Sequence, residues 1–212
     1  MAALDLQEQE QVDALRHWWQ DNGKWVVGAV VVAALAFAGF RFWQGYQAKQ
    51  AEEAGALFAE LGKQLATNDA KRVNDAASAV IDKYASSAYA PRAALVAAEV
   101  DLQTKDVDGA RARLQWVLDH AKEEGLQSVA RLKLAAILLD EKNYSAALQL
   151  VGSKHPESFD ALYADMKGDI LMAQGQTDEA RKSYKVAFDK SEQRSSYRNL
   201  IQMKLDALGG AQ

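Results

Sequence analysis

Cysteine is absent from the 212-residue chain, proline occurs twice and histidine three times. Without cysteine there are no disulfides, no thiolate metal sites and no cysteine nucleophile. The absence assigns no compartment, because a cysteine-free domain is stable in either redox environment. A basic excess is missing too: Lys and Arg number 25 against 29 Asp and Glu, for a formal net charge of −4. Nucleic-acid binding needs a basic footprint to displace counterions, so no nucleic-acid partner is expected. Period-two runs of β-branched residues, the mark of strands, are lacking. So are a P-loop, a GxGxxG after a strand and a GxSxG. His17, His120 and His155 stand alone, none spaced from an acid as metal ligands are, and read as surface histidines. The carboxylates sit beside Lys and Arg, as in "DEKN", "KEEG" and "TDEARKSYK", which is the look of a solvated helix face. Nothing in the residues points to an enzyme, a cofactor, a metal or a small-molecule substrate.

One long apolar run is present. The 16 residues Trp25 to Phe40 carry no charge. A core helix of a soluble domain keeps a polar stripe, and this run has none. "AFAG" at residues 36–39 offers a small-x-small cleavage pattern, but a secretory signal needs a short, positive start. Here the preceding segment is long and acidic, with Asp5, Glu8, Glu10, Asp13 and Asp21 against Arg16 and Lys24. A retained anchor accounts for more. As a helix, Trp25 to Trp43 spans about 28 Å at 1.5 Å per residue, close to a hydrocarbon core of about 30 Å. Trp25 at one end, and Phe42, Trp43 and Tyr46 at the other, suit the headgroup level. Lys24 and Arg41 can snorkel to phosphates. Gly28 and Gly39 are too far apart for a GxxxG face. Lys and Arg flank the run equally, so charge leaves the orientation open.

Before the run, Val12, Leu15, Trp18 and Trp19 recur at helical spacing, and Asn22-Gly23 is expected to stop that helix. This predicts a short helix lying on the membrane surface.

Beyond residue 47 the chain is Ala-rich and helical, and it repeats. In three segments a small residue on one helix is followed twelve residues later by Ala on the next: Ala98/Ala110, Ala135/Ala147 and Gly168/Ala180, at spacings of 37 and then 33 residues. Small residues at both positions let two helices approach closely. This is the tetratricopeptide pattern of about 34 residues per helix pair. The third copy is the fullest, with Leu171, the turn residue Gly175, Tyr184 and Ala187 in order. A weaker unit precedes the three, its turn at Asn68-Asp69 and its second helix marked by Ala77, Ile81 and Tyr84. "SSYRNLIQMKLDAL" reads as a single closing helix over the last repeat. The expected fold class is all-α, a single transmembrane helix followed by a short tetratricopeptide-like solenoid. The expected layout is an acidic segment at 1–23, an anchor at 24–46 and a repeat domain with its capping helix at 47–212.

Such stacks bind along the first helices of their units. Aligning the copies by their small residue places Leu95, Leu102, Leu132, Leu139 and Met172 on the inner face as a candidate groove, although some of them must also pack between helices. Seven basic residues from Arg181 to Lys204 form a local bias that is read as a solvated face.

"QVDALRHWWQDNGKWVVGAVVVAALAFAGFRFW", "YADMKGDILMAQGQTDEARKSYKVAF" and "IQMKLDAL" resemble the YfgM family, ancillary subunits of the SecYEG translocon, in order and over nearly the whole chain. The resemblance implies an inner-membrane protein with a cytoplasmic N-terminus and a periplasmic repeat domain. It implies partners in SecYEG and in a membrane-anchored periplasmic chaperone of the PpiD type, and a role in passing exported proteins to chaperones. It carries no catalytic residues. A structural scaffold for another envelope complex, in division or outer-membrane assembly, fits the same layout.

Overall fold

The computed structural model describes residues 2–67 and 69–209, with side chains from residue 10 onward. Asn68, half of the expected Asn68-Asp69 turn, lies outside the described residues. All regular structure among them is helical. The helices are α1 (Ala2–Leu65), α2 (Ala70–Lys83), α3 (Tyr89–Gln103), α4 (Val107–His120), α5 (Glu124–Asp140), α6 (Tyr144–Val151), α7 (Asp160–Ala173), α8 (Thr177–Lys190) and α9 (Ser196–Ala207), with one 3₁₀ turn at Glu157–Phe159. The chain falls into two compact units, Met1–Gln50 and Ala51–Gln212.

In the first unit α1 runs straight through Asn22-Gly23, so the expected stop does not occur. A glycine ends a helix by taking a left-handed conformation. Among the described glycines only Gly175 and Gly209 have positive φ. An interior glycine costs about 1 kcal/mol, less than abandoning a turn of hydrogen bonds. The Asn22 amide donates to the Trp18 carbonyl at 3.1 Å, and the Trp19 ring lies over Gly23. The separate surface helix is therefore one stretch of a longer helix.

The second unit is built of helix pairs. The five alanines of the paired small positions are fully buried, and a Cβ on Gly168 would collide with the Tyr184 ring. The last three A-to-B turns repeat one construction. Lys105, Lys142 and Gly175 take φ of 65°, 60° and 77°. The next residue donates its N–H five places back: Asp106 to Asp101, Asn143 to Leu138 and Gln176 to Leu171, at 2.8, 2.8 and 2.9 Å. That pattern closes a helix C-terminus. The same residue then opens the following helix. Asp106 and Asn143 accept from the N–H groups of Gly109 and Ala146 with their side chains, each cap worth about 1 kcal/mol. Asp69 caps α2 likewise through Arg72 N–H.

The core is divided along the stack. One cluster joins Leu61 of α1 to α2 and α3, the next joins α3, α4 and α5, a third α5, α6 and α7, and the last α7, α8 and α9. Each cluster seals one helix pair against the first helix of the next pair, which is the nearest-neighbour logic of a solenoid. Helix α9 takes the first-helix role. Its Lys204 bonds back to Asp169 of α7 as Lys133 of α5 bonds back to Glu99 of α3. Its Ile201 and Leu205 enter the last core as Ala130 and Leu134 enter the second.

Candidate functional site

Residues 24–46 lie on α1 with their apolar side chains open on every side. Trp25 is 75% exposed and Val30, Val32, Leu35 and Phe37 are more than half exposed. Burying a side chain of this size is worth about 1.5–3 kcal/mol, so a helix with this surface belongs in lipid, not in water or a protein core. It is the one helix among the described residues long and apolar enough to cross a membrane. Lys24, Trp25, Arg41 and Trp43, expected at the two ends of the anchor, are all exposed on α1. Phe40 and Trp43 stack at 6.3 Å between centroids.

The five candidate groove residues are all half-buried. Leu95 and Leu102 pack on the α3–α4–α5 core, Leu132 and Leu139 on the α5–α6–α7 core, and Met172 on the last. The structure thus distributes them over three successive joints. The position that Leu95 and Leu132 hold in their units is held by Asp165 in the last unit, and there a polar site replaces the apolar contact. Lys204 Nζ reaches Asp165 Oδ1 at 2.7 Å and the Asp169 oxygens at 2.7 and 2.8 Å. Tyr197 donates to Asp165 at 2.9 Å and Tyr184 to Asp169 at 2.7 Å. Burial raises the Asp165 carboxyl above its ordinary range, with Lys204 holding it back. Burial works against the Lys204 charge, but its bonds to Asp165 and Asp169 outweigh that and raise its pKa. Both phenols are pushed up, first by burial and then by the carboxylates beside them.

A second polar site lies near the start of the stack. Asp101 on α3, only 2% exposed, accepts from Arg113 Nε of α4 at 2.8 Å and from Asn74 Nδ2 of α2 at 2.5 Å. Nearby, Ile81, Ala94, Gly109, Ala112, Arg113 and Trp116 line a cleft of about 300 Å³. No periodicity marks either site in the sequence. The signal for Asp101 is an acid amid the apolar positions of a first helix.

Groups of three or more His, Asp or Glu able to hold a metal are absent among the described residues. His155 is more enclosed than a surface histidine. Its ring stacks on Tyr163 at 3.8 Å and faces Asp160 at 3.3 Å. The basic bias near the C-terminus is largely neutralised: Arg181 pairs with Asp178, Lys182 with Glu179, Lys190 with Asp160, and Lys204 with the two aspartates. Arg198 lies over the Phe188 ring and donates to the Phe188 and Ser191 carbonyls.

An exposed apolar helix ahead of stacked helix pairs defines a membrane-anchored helical-repeat protein. The family model described as a tetratricopeptide repeat-like domain matches residues 16–210. Among curated proteins, the ancillary SecYEG translocon subunit of Neisseria gonorrhoeae is 35% identical over 97% of this chain and 99% of its own. Those of Haemophilus influenzae and Escherichia coli are 29% and 26% identical, over 97% and 95% of this chain and 100% and 96% of theirs. The chain belongs to this tetratricopeptide-like family, that of the YfgM-type ancillary translocon subunits. No solved structure matches it.

Proposed function

We propose that this chain is a non-catalytic interaction module held at the Sec translocon of the inner membrane, linking newly exported proteins to periplasmic chaperones. The observation that carries the reading is the end-to-end likeness to relatives named ancillary SecYEG translocon subunits. A bilayer span at 24–46, bounded by Lys24, Trp25, Arg41 and Trp43, holds the chain there with the acidic 1–23 segment in the cytoplasm. Residues 47–212 form the periplasmic repeat domain. Its partners are SecYEG and a membrane-anchored chaperone of the PpiD type. The face carrying Leu95, Leu102, Leu132, Leu139 and Met172 contacts partners where these side chains remain half-open.

Crosslinking from Leu102, Leu139 and Met172 in inner membranes tests the partners. Recovery of translocon or chaperone subunits is expected, and a division or outer-membrane assembly machine recovered without any Sec component would replace this reading with the scaffold one. Protease added to intact spheroplasts tests the orientation. The repeat domain should be cut, and its survival would reverse the topology.

A further inference from the structure

On α1 an apolar stripe extends beyond the membrane span. Val12, Leu15 and Trp19 are each more than half exposed, and they are spaced three and then four residues apart. The same alternation continues through Asn22 and Val26 into the lipid segment, where it lands on Ala29, Ala33 and Ala36. Because α1 does not break at Gly23, these positions belong to one helix. A three-four alternation is the seam of a left-handed helix pair, and a straight helix drifts about 20° per heptad away from it. Large side chains fill such a seam in water. In lipid, small residues let backbones approach. A lone polar residue within a seam, here Asn22, sets register and partner. Among the described residues its amide bonds only back to the Trp18 carbonyl, which leaves its oxygen for a partner.

We propose that this stripe docks along a transmembrane helix of another membrane protein, one that continues past the bilayer into a basic extension. Charge selects this occupant. Residues 1–24 carry five acidic and two basic side chains. A second copy of the chain must lie parallel, and would set the two acidic segments against each other. A heterologous helix entering from the cytoplasmic side has the opposite bias, because Lys and Arg gather at cytoplasmic flanks. The proposal rests on the translocon reading above and names the surface by which that partner is held.

The test uses the full chain reconstituted with purified SecYEG in nanodiscs, with a photocrosslinking residue placed singly. Leu15, Trp19, Ala33 and Ala36 probe the seam; His17, Val31 and Ala38 probe the opposite face. Crosslinks to a SecYEG subunit should be several-fold stronger from the seam, and Glu10→Lys with Asp13→Lys should cut the Leu15 crosslink several-fold. Equal yields around the helix, seam crosslinks to a second copy, or yields indifferent to the charge reversal would each overturn the seam while co-purification with SecYEG upheld the translocon reading. Failure to co-purify at all would overturn that reading and the seam with it.

Discussion

The two buried polar sites of the repeat domain sit near opposite ends of the stack and solve different problems. Asp101 takes its partners from the helix before it and the helix after it, Asn74 of α2 and Arg113 of α4. It ties a finished helix pair to the pair before. Asp165 and Asp169 take their cation from Lys204 of α9, the unpaired helix that closes the array. In the two units before the last, the position of Asp165 is leucine, Leu95 or Leu132. An interior joint can rely on hydrophobic burial, because helices lie on both sides. The closing joint has a helix on one side only, and there charge and two phenols fix where α9 sits. A buried ion pair gives less stability than an apolar contact of equal size, but it penalises wrong placements heavily.

The largest expected effect comes from breaking the deeper site. Asp101→Ala leaves Arg113 and Asn74 facing each other without an acceptor, and should cost about 3–5 kcal/mol, read as a lowered denaturant midpoint. Lys204→Met should cost less, about 1–3 kcal/mol, because Lys204 is a quarter exposed and solvent screens the charges left behind. Its signature is local: hydrogen-exchange protection falls in α7 and α9 while α2 to α4 keep theirs. Adding Asp165→Leu to Lys204→Met makes the closing joint resemble an interior one. That double variant should recover most of the loss in the same melts, and a further drop would show that the charges do more than place the helix.

The pH response separates the sites more gently. Tyr184 and Tyr197 ordinarily lose their protons at 10.0 and Lys204 at 10.5. In the fold all three hold them to higher pH. A group with a raised folded pKa lends stability that is complete below its unfolded value and is lost as pH rises past it. The closing joint should therefore weaken from about pH 10 upward. Asp165, also raised, gives up its smaller share in the acid range above its ordinary 3.8. Thermal melts followed across this range should slope downward at the alkaline end for the natural chain and less steeply for the double variant, which loses the Lys204 share and keeps the two buried phenols.

The smallest effects belong to the turns. Lys142→Gly relieves a left-handed lysine and Gly175→Ala introduces a left-handed alanine, so their midpoints should move in opposite directions by about 1 kcal/mol.

The repeat was legible because its constraint is steric and periodic. Where two helices touch, side chains must be small, and Ala98/Ala110, Ala135/Ala147 and Gly168/Ala180 record this directly. Gly175 announced its turn. Lys105 and Lys142 did not, since lysine carries no preference for positive φ and is held there by the hydrogen bonds of the turn. The continuous α1 was hidden for the opposite reason. Asn22-Gly23 is a strong local stop signal, overruled by helix on both sides of it. The Lys204 site was out of reach because it joins residues up to 39 positions apart in the chain, and no local spacing encodes such a meeting; Asp101 and Arg113 do stand at the twelve-residue offset of the small pairs, but Asn74 comes from a unit earlier.

The four core clusters are sealed one by one, each sharing a helix with the next. An array of that kind fails by links. Injury to the closing link strips α9 and leaves the earlier ones intact, so proteolysis should shorten the domain in steps rather than abolish it. The same independence allows links to be added or removed in descent without redesigning those that remain, and makes length the property of this architecture easiest to change.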